Sequence, residues 1–498
     1  EILLQQIGVQ WKVCAASDVF SPEKFSVIII NAEPTTLQFQ NIKSYLYDGG
    51  CVISSHRYGS SLLQKKIQSK KFSSVHPSLF SEYSPSTLLD IDTICSSVES
   101  ADKKFITESA IGKGLLLHIP FDVDALMLDT RVTRRDFFST TGRFPSERVA
   151  RISKGEIKRV VFSMLQYLHH TKGLPFVHKW YFPNSEKTLF TFRIDSDGGS
   201  REQIEQLYQL CNKYKISATW FVDVKSHEQW LSYFTTMSNQ EIGIHCYEHK
   251  TYNTEKENFS NFSHAHQLLL QSGVHPFGAS APCGKWNESV STTFQKLSLD
   301  YSSEFSLAYD TFPFFPVMQN CFSTVLQIPI HPICIGNMLR AHFSSSDMMN
   351  YYSTWIHRQI VLREPISLYH HPTHEHNTVF ENVFQIIRKQ GIQTMQYHEF
   401  ASWWKERDAV HFTLELHDNK NILSIIADSI PDDVHFRISY PSGEETFTKA
   451  LPSLDLQSLP KTQAAEHYTI PNDIERIRDF NVRHYIYDTL DAWYRMTQ

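Results

Sequence analysis

The sequence predicts a multidomain α/β protein built on a (β/α) barrel of seven or eight strands, preceded by an α/β domain and followed by a small all-β module. Three observations predict this. Between residues 176 and 407, short apolar runs alternate seven or eight times with stretches of helical periodicity, the pattern of a parallel barrel with helices outside. The acidic and histidine residues of that region fall at the carboxyl ends of the predicted strands, where such barrels carry their reactive groups. A chain of 498 residues with 41% hydrophobic and 13% aromatic content holds enough apolar surface for several cores, about three at ~150 residues each.

Residues 1–175 read as the α/β domain. Phe25 to Asn31 is a continuous apolar run typical of a strand buried on both faces. A helix from Leu37 to Tyr47 follows, closed by Gly49-Gly50. Cys51 to Ser54 and Gly112 to Pro120 are further strands. In the 176–407 region the predicted strands are Leu189–Ile194, Ala218–Val222, Ile242–His245, Phe277–Pro282, Tyr301–Phe305, Leu326–Ile330, Ile366–Tyr369 and Thr394–Tyr397. The first helix between them buries Ile204, Leu207, Cys211 and Tyr214. Later helices centre on Trp230, Leu268–Leu270, Phe294 and Trp355, then run over Val383–Arg388 and Phe400–Trp404. Residues 408–498 form the β-module. His411 to His417 alternates, Asp418-Asn419 signals a turn, and Ile422–Ala427 and Val434–Tyr440 continue as strands.

Composition excludes several functions. A net charge of −6 without basic runs leaves no electrostatic footprint for nucleic acid. No apolar run approaches the ~18 residues of a membrane span, so a soluble protein is expected. The chain opens at Glu1 within sequence that already looks structured, which points to truncation or a removed leader. Compartment, cytoplasmic or cell-envelope, and oligomeric state stay open. The eight cysteines lack paired spacing and are expected to be mostly reduced and buried.

The chemistry concentrates between Asp195 and His371. The first strand runs into Asp195-Ser-Asp197-Gly-Gly199. Strand alternation puts Thr191, Arg193 and Asp195 on one side, so Asp195 and Asp197 can face one cavity, one as metal ligand and one as base. Taken alone they could equally be an Asp-Gly turn capping a helix. His245 and His249, four apart after Glu241-Ile-Gly, can converge on one ion. The same segment reads His-x-x-Glu-His, a peptidase pattern that requires a helix, whereas Gly243 points to a strand ending at His245. A further His pair, His370-His371, ends the Ile366 strand.

These motifs resemble those of the polysaccharide deacetylases of carbohydrate esterase family 4, over about residues 186–405. Phe192 to Gly198 resembles the family's Asp-x-Asp first motif, Glu241 to His249 its His-x-x-x-His second, and Leu368 to Pro372 its last. Ser280-Ala-Pro282-Cys283-Gly284 matches the third only in part. The resemblance implies a hydrolase that removes N-acetyl or related N-acyl groups from a carbohydrate. It gives Asp195 as general base and Asp197, His245 and His249 as ligands of zinc, or of cobalt, nickel or manganese. Cys283 would offer its backbone N–H to the oxyanion. His371 would be the acid, with His370 the competing choice and otherwise beside the substrate.

Departures from the family pattern raise an alternative. The third motif's Arg is Ser280 here; Arg193 either replaces it or forms a structural ion pair. Only Tyr301 to Phe305 stands for the fourth motif. A metal-containing carbohydrate-binding or scaffold protein with weak or no turnover is therefore the competing reading. The N-terminal domain resembles class I glutamine amidotransferases but lacks their Gly-x-Cys-x-Gly elbow, so it is expected to be non-catalytic.

Overall fold

The computed structural model describes all residues except 16, 56–61, 63–66, 76–88, 99–105, 418–419, 427–428, 465–481 and 498. They divide into two compact units. One comprises Glu1–Asp129, Ile152–Ser185 and Glu406–Thr469; the other comprises Thr130–Arg151, Glu186–Lys405 and Ile470–Gln498.

The second unit carries the barrel. Its strands are β1 (Leu189–Asp195), β2 (Ala218–Asp223), β3 (Glu241–Cys246), β4 (Gly278–Ala279), β5 (Tyr301–Ser302), β6 (Leu326–Gln327), β7 (Ile366–His370) and β8 (Gln393–Thr394). Seven parallel strands follow one another in the order β6-β5-β4-β3-β2-β1-β7 and curl into a half-barrel, with β8 pairing the start of β1. Beyond β6, the His331 N–H donates to the Ser367 carbonyl of β7.

Each residue of β1 is buried, as a strand covered on both faces requires. Phe190 and Phe192 point outward against Phe384, and Phe192 also meets Phe380, both from the helix Asn377–Lys389. Thr191 and Arg193 point inward, and the Thr191 hydroxyl donates to Ser367 Oγ at 2.8 Å. At the amino end of the barrel, Glu241 accepts from Thr219 Oγ1 at 2.8 Å and from Tyr301 Oη at 2.6 Å. Burial pushes its carboxyl up. Arg193, Phe221, Tyr301 and Tyr397 are fully buried and fill the interior below the strands' carboxyl ends.

Four strands, β4, β5, β6 and β8, are shorter than the sequence suggests. Proline, which cannot donate to the ladder, explains two of them. Pro276 and Pro282 bracket β4, and Pro329 follows β6. The strand expected over Thr394–Tyr397 stops at Thr394, because Tyr397 opens the helix Tyr397–Ala409 with its N–H donated to Thr219 Oγ1. The Trp230 helix is a kinked 3-10 segment, Glu228–Thr236. The helix Arg201–Lys213 begins at a capping box, Ser200 with Gln203, and buries Ile204, Leu207, Tyr208 and Cys211.

The first unit contains a sheet in which Val27–Ile30, Cys51–Ser54 and Gly114–His118 run parallel and Thr107–Ile111 is an antiparallel edge. Gly50 leads into Cys51 because a Cβ there would sit 2.2 Å from the Tyr45 ring. The same unit holds, among the described residues, the antiparallel pair Ile67–Val75 with Leu89–Val98 and two further antiparallel sheets. His411–His417 pairs with Lys420–Ile426, and the turn expected at Asp418-Asn419 and the strand end at Ala427 lie outside the described residues. His435–Ser439 lies between Glu444–Lys449 and Phe176–Lys179. Thus Phe176–Lys179, read from sequence as the start of the barrel region, is a strand beside the C-terminal segment, where Val177 joins the core of Phe412, Leu423 and Phe436.

Several elements were not anticipated, among them the helix Lys154–Thr171 of the first unit. Val482–Thr497 is a helix of the second unit, tied there by Asp488 to Arg134 Nε at 2.8 Å and by His484 Nε2 to Asp136 at 2.7 Å. Among the described residues no helix is long and apolar enough to cross a membrane. Cys51, Cys211, Cys246 and Cys334 are buried free thiols.

Candidate metal centre

Apart from Arg193, which lies within β1, the candidate site residues lie near or just beyond the carboxyl ends of strands. Asp195 ends β1 and Asp197 follows it with a positive φ of 24°, continued by Gly198 at 66°. This left-handed bend turns the chain back, so Asp197 reaches the cavity that Asp195 faces. His245 lies within β3 and His249 in the loop after it. The helix required by a peptidase reading of this segment is absent; residues 247–249 are non-helical.

Asp197 Oδ1 lies 3.2 Å from His245 Nε2 and 3.4 Å from His249 Nε2. The two Nε2 atoms are 3.1 Å apart. His245 Nδ1 is 2.7 Å from the Ser280 carbonyl. A carbonyl only accepts, so Nδ1 carries the proton and the Nε2 lone pair faces Asp197. A tetrahedral ion with bonds of ~2.0–2.1 Å holds neighbouring donors about 3.3 Å apart. The observed separations match that edge length, and Asp197 Oδ1 is buried without a hydrogen-bond partner. The donor set therefore fits a borderline divalent ion such as zinc. Burial alone would raise the Asp197 carboxyl, but His371 and His245 hold it well below the usual carboxylate range.

Arg193 grips Asp195 with both arms, Nε to Oδ1 at 2.7 Å and Nη2 to Oδ2 at 2.6 Å. Its Nη1 donates to the Ser303 carbonyl at 2.6 Å. The guanidinium lies 5.4 Å from the Phe221 and Tyr369 ring centroids. Burial would lower it, but the Asp195 charge keeps it above its ordinary value. Arg193 is fully buried and engaged with Asp195, so the place among substrate-contacting residues also expected for it from the sequence is not available to it.

His371 Nε2 lies 3.3 Å from Asp197 Oδ2 and 3.9 Å from Asp195 Oδ2. His370 instead packs on the Phe380 ring at 4.5 Å and is fully buried. Burial lowers its imidazole well below the ordinary value. The alternation of β7 sends these neighbours to opposite sides, so His370 is removed from the substrate side on which it was expected. Cys283 is exposed, with φ 57°, in the turn Pro282–Gly284, just beyond the Ser280 carbonyl that holds His245.

Sequence reasoning missed two residues here. Cys334 and His374 place donor atoms within 4.8 Å of His371. The signal available was the paired form of His331-Pro-Ile-Cys334 and His371-Pro-Thr-His374.

Glu304, in the sequence's weak fourth motif, is fully buried and accepts from the Ala281 N–H at 3.0 Å. Burial pushes its carboxyl up to about 7. The folded protein then keeps this proton while the unfolded chain loses it, so stability present below about pH 4.5 is lost as pH rises to about 7. The loss amounts to about 3 kcal/mol. Glu304→Gln mimics the protonated form. Thermal melts at about pH 5 and about pH 8 should show a smaller drop in the variant than in the wild type; an equal drop would refute the assignment.

Comparison with known proteins agrees with this geometry. The polysaccharide deacetylase family model matches residues 185–302, a segment that contains Asp195, Asp197, His245, His249 and Cys283. Over these residues the chain is similar to the polysaccharide deacetylases. No curated protein matches the chain. Among solved structures it is similar to a putative polysaccharide deacetylase from Mycobacterium smegmatis, at 12% identity, 45% of this chain, 94% of that one and a TM-score of 0.37. A probable polysaccharide deacetylase from Pseudomonas aeruginosa PAO1 matches at 14% identity, 44% and 91% coverage and 0.36. A family 4 carbohydrate esterase pseudoenzyme from Bacillus anthracis matches at 14%, 44% and 66% coverage and 0.32.

Proposed function

We propose that this protein is a metal-dependent hydrolase that removes N-acetyl, or related N-acyl, groups from a sugar or polysaccharide. The observation that carries the reading is the convergence of Asp197, His245 and His249 beside an Asp195 clamped by Arg193. Asp197 Oδ1 and the two Nε2 atoms would hold the ion, zinc by preference, with cobalt, nickel or manganese as substitutes. When bound, such an ion supplies Lewis acidity, lowering the pKa of its water and polarising a carbonyl.

Asp195 is the general base. Arg193 fixes the plane of its carboxylate, while each oxygen keeps a further lone pair for the proton of the attacking water. The acyl carbon gains a C–O bond and loses its C–N bond. His371 Nε2, on the cavity side, gives its proton to the departing amine nitrogen. The Cys283 backbone N–H, presented by its turn, is the candidate donor to the oxyanion.

Residues 1–175 we read as an amidotransferase-like α/β layer with no nucleophile. Cys51 opens a buried central strand rather than an elbow, and burial pushes its thiol up.

The test is acetate release from N-acetylated chitooligosaccharides and peptidoglycan fragments with added Zn²⁺ or Co²⁺. Metal-dependent release is expected and should vanish on chelation. Tight glycan binding without release across the panel would instead establish the binding-protein alternative.

A further inference from the structure

We propose that Cys334, His371 and His374 form a second metal site, for a thiolate- and imidazole-preferring ion such as Zn²⁺ or Co²⁺, joined through His371 to the first cluster. This second site does not rest on the acyl-transfer reading but shares His371 with it: an ion on Nδ1 leaves a neutral Nε2–H, a far weaker acid than an imidazolium, so occupancy of this site would slow protonation of the leaving amine. One ligand atom from each of the three residues lies within 4.8 Å of the others. Cys334 is buried at the start of the helix Ile335–Arg340, just beyond β6. His371 and His374 flank the turn that follows β7. Their rings are 4.6 Å apart, inclined at 62°.

The nitrogens supply the second observation. His371 turns Nε2 toward Asp197, and its Nδ1 is buried without a hydrogen-bond partner. His374 Nδ1 is likewise buried and without a partner. Two orphaned imidazole nitrogens beside a thiol are costly in a folded interior unless something binds them. Gly336 makes room for the arrangement: a Cβ there would come 2.7 Å from the His374 ring.

The donor chemistry selects the ion. One sulfur and two imidazole nitrogens suit zinc, cobalt or copper and disfavour magnesium and calcium. Three protein ligands leave a further position open. The thiol hydrogen, now donated to Asn337 Oδ1 at 3.0 Å, leaves to water on coordination, because the thiolate is the ligand. With Nδ1 committed, the proton of neutral His371 resides on Nε2, which faces Asp197 Oδ2.

Cobalt titration of the full chain tests this. The wild type should bind two equivalents and develop a near-ultraviolet thiolate-to-cobalt charge-transfer band. Cys334→Ser should lose the band and one equivalent. His374→Ala, at a partly exposed position, should weaken binding at that site alone. His249→Ala should lose the other equivalent and keep the band. The proposal fails if the wild type shows no band, if Cys334→Ser keeps it, or if His249→Ala abolishes it. Failure of the deacetylase reading would appear separately, as absent acetate release from Cys334→Ser carrying only the ion of the Asp197 cluster.

Discussion

His249→Ala should lose one equivalent of divalent metal relative to the wild type and reduce kcat/KM by at least ~10³, because metal chemistry supplies several kcal/mol of transition-state stabilisation. Of the two histidines His249 is the cleaner target. Its side chain is 32% exposed against 1% for His245, so truncation leaves no sealed hole in the barrel. The melting temperature should move by only a few degrees, as for other surface-proximal substitutions. Dialysis against chelator-free buffer followed by elemental analysis gives the stoichiometry, and circular dichroism gives the fold. A folded His249→Ala protein with undiminished metal content would remove Asp197, His245 and His249 as the ligand set.

Asp195→Asn should lower kcat by ~10²–10⁴ while leaving metal content and glycan affinity in place. The amide has the shape of the carboxylate but cannot take a proton. It also deprives Arg193 of a charge partner in a buried pair, and breaking such a pair costs about 3–5 kcal/mol. Activity loss through base removal must therefore be separated from activity loss through instability. The double variant Arg193→Gln with Asp195→Asn does this. Removing both charges should recover much of the lost stability, with a coupling on the order of 1–3 kcal/mol in the cycle, yet leave kcat where Asp195→Asn put it. Recovery of turnover along with stability would mean that Asp195 serves the fold and not the proton transfer.

The half-barrel was legible because periodicity and burial agree in it. Leu189–Asp195 reads as a buried strand and is one, and the alternation that separates Arg193 from Phe192 also separates His371 from His370. The short strands β4 and β6 were overdrawn because apolar runs do not reveal where proline interrupts a ladder. The bidentate grip of Arg193 on Asp195 was one of two readings, since spacing puts both on one face but says nothing of rotamers. Cys334 carried only the faint signal of its His331-Pro-Ile-Cys334 form. Its link to His371 depends on β6 and β7 closing toward one another, which the paired motifs do not by themselves specify. The helix Val482–Thr497 did carry a signal, Val482, Tyr485, Ile486 and Leu490 at helical spacing, obscured by the β-rich sequence before it.

The side chains that fill the barrel beneath Asp195 also govern traffic. Arg193, Tyr301, Tyr397 and Glu241 stopper the interior beneath the strands' carboxyl ends. In the deacetylase reading proposed above, substrate would then approach, and both products would depart, by way of the strands' carboxyl ends, so that entry and exit share one doorway.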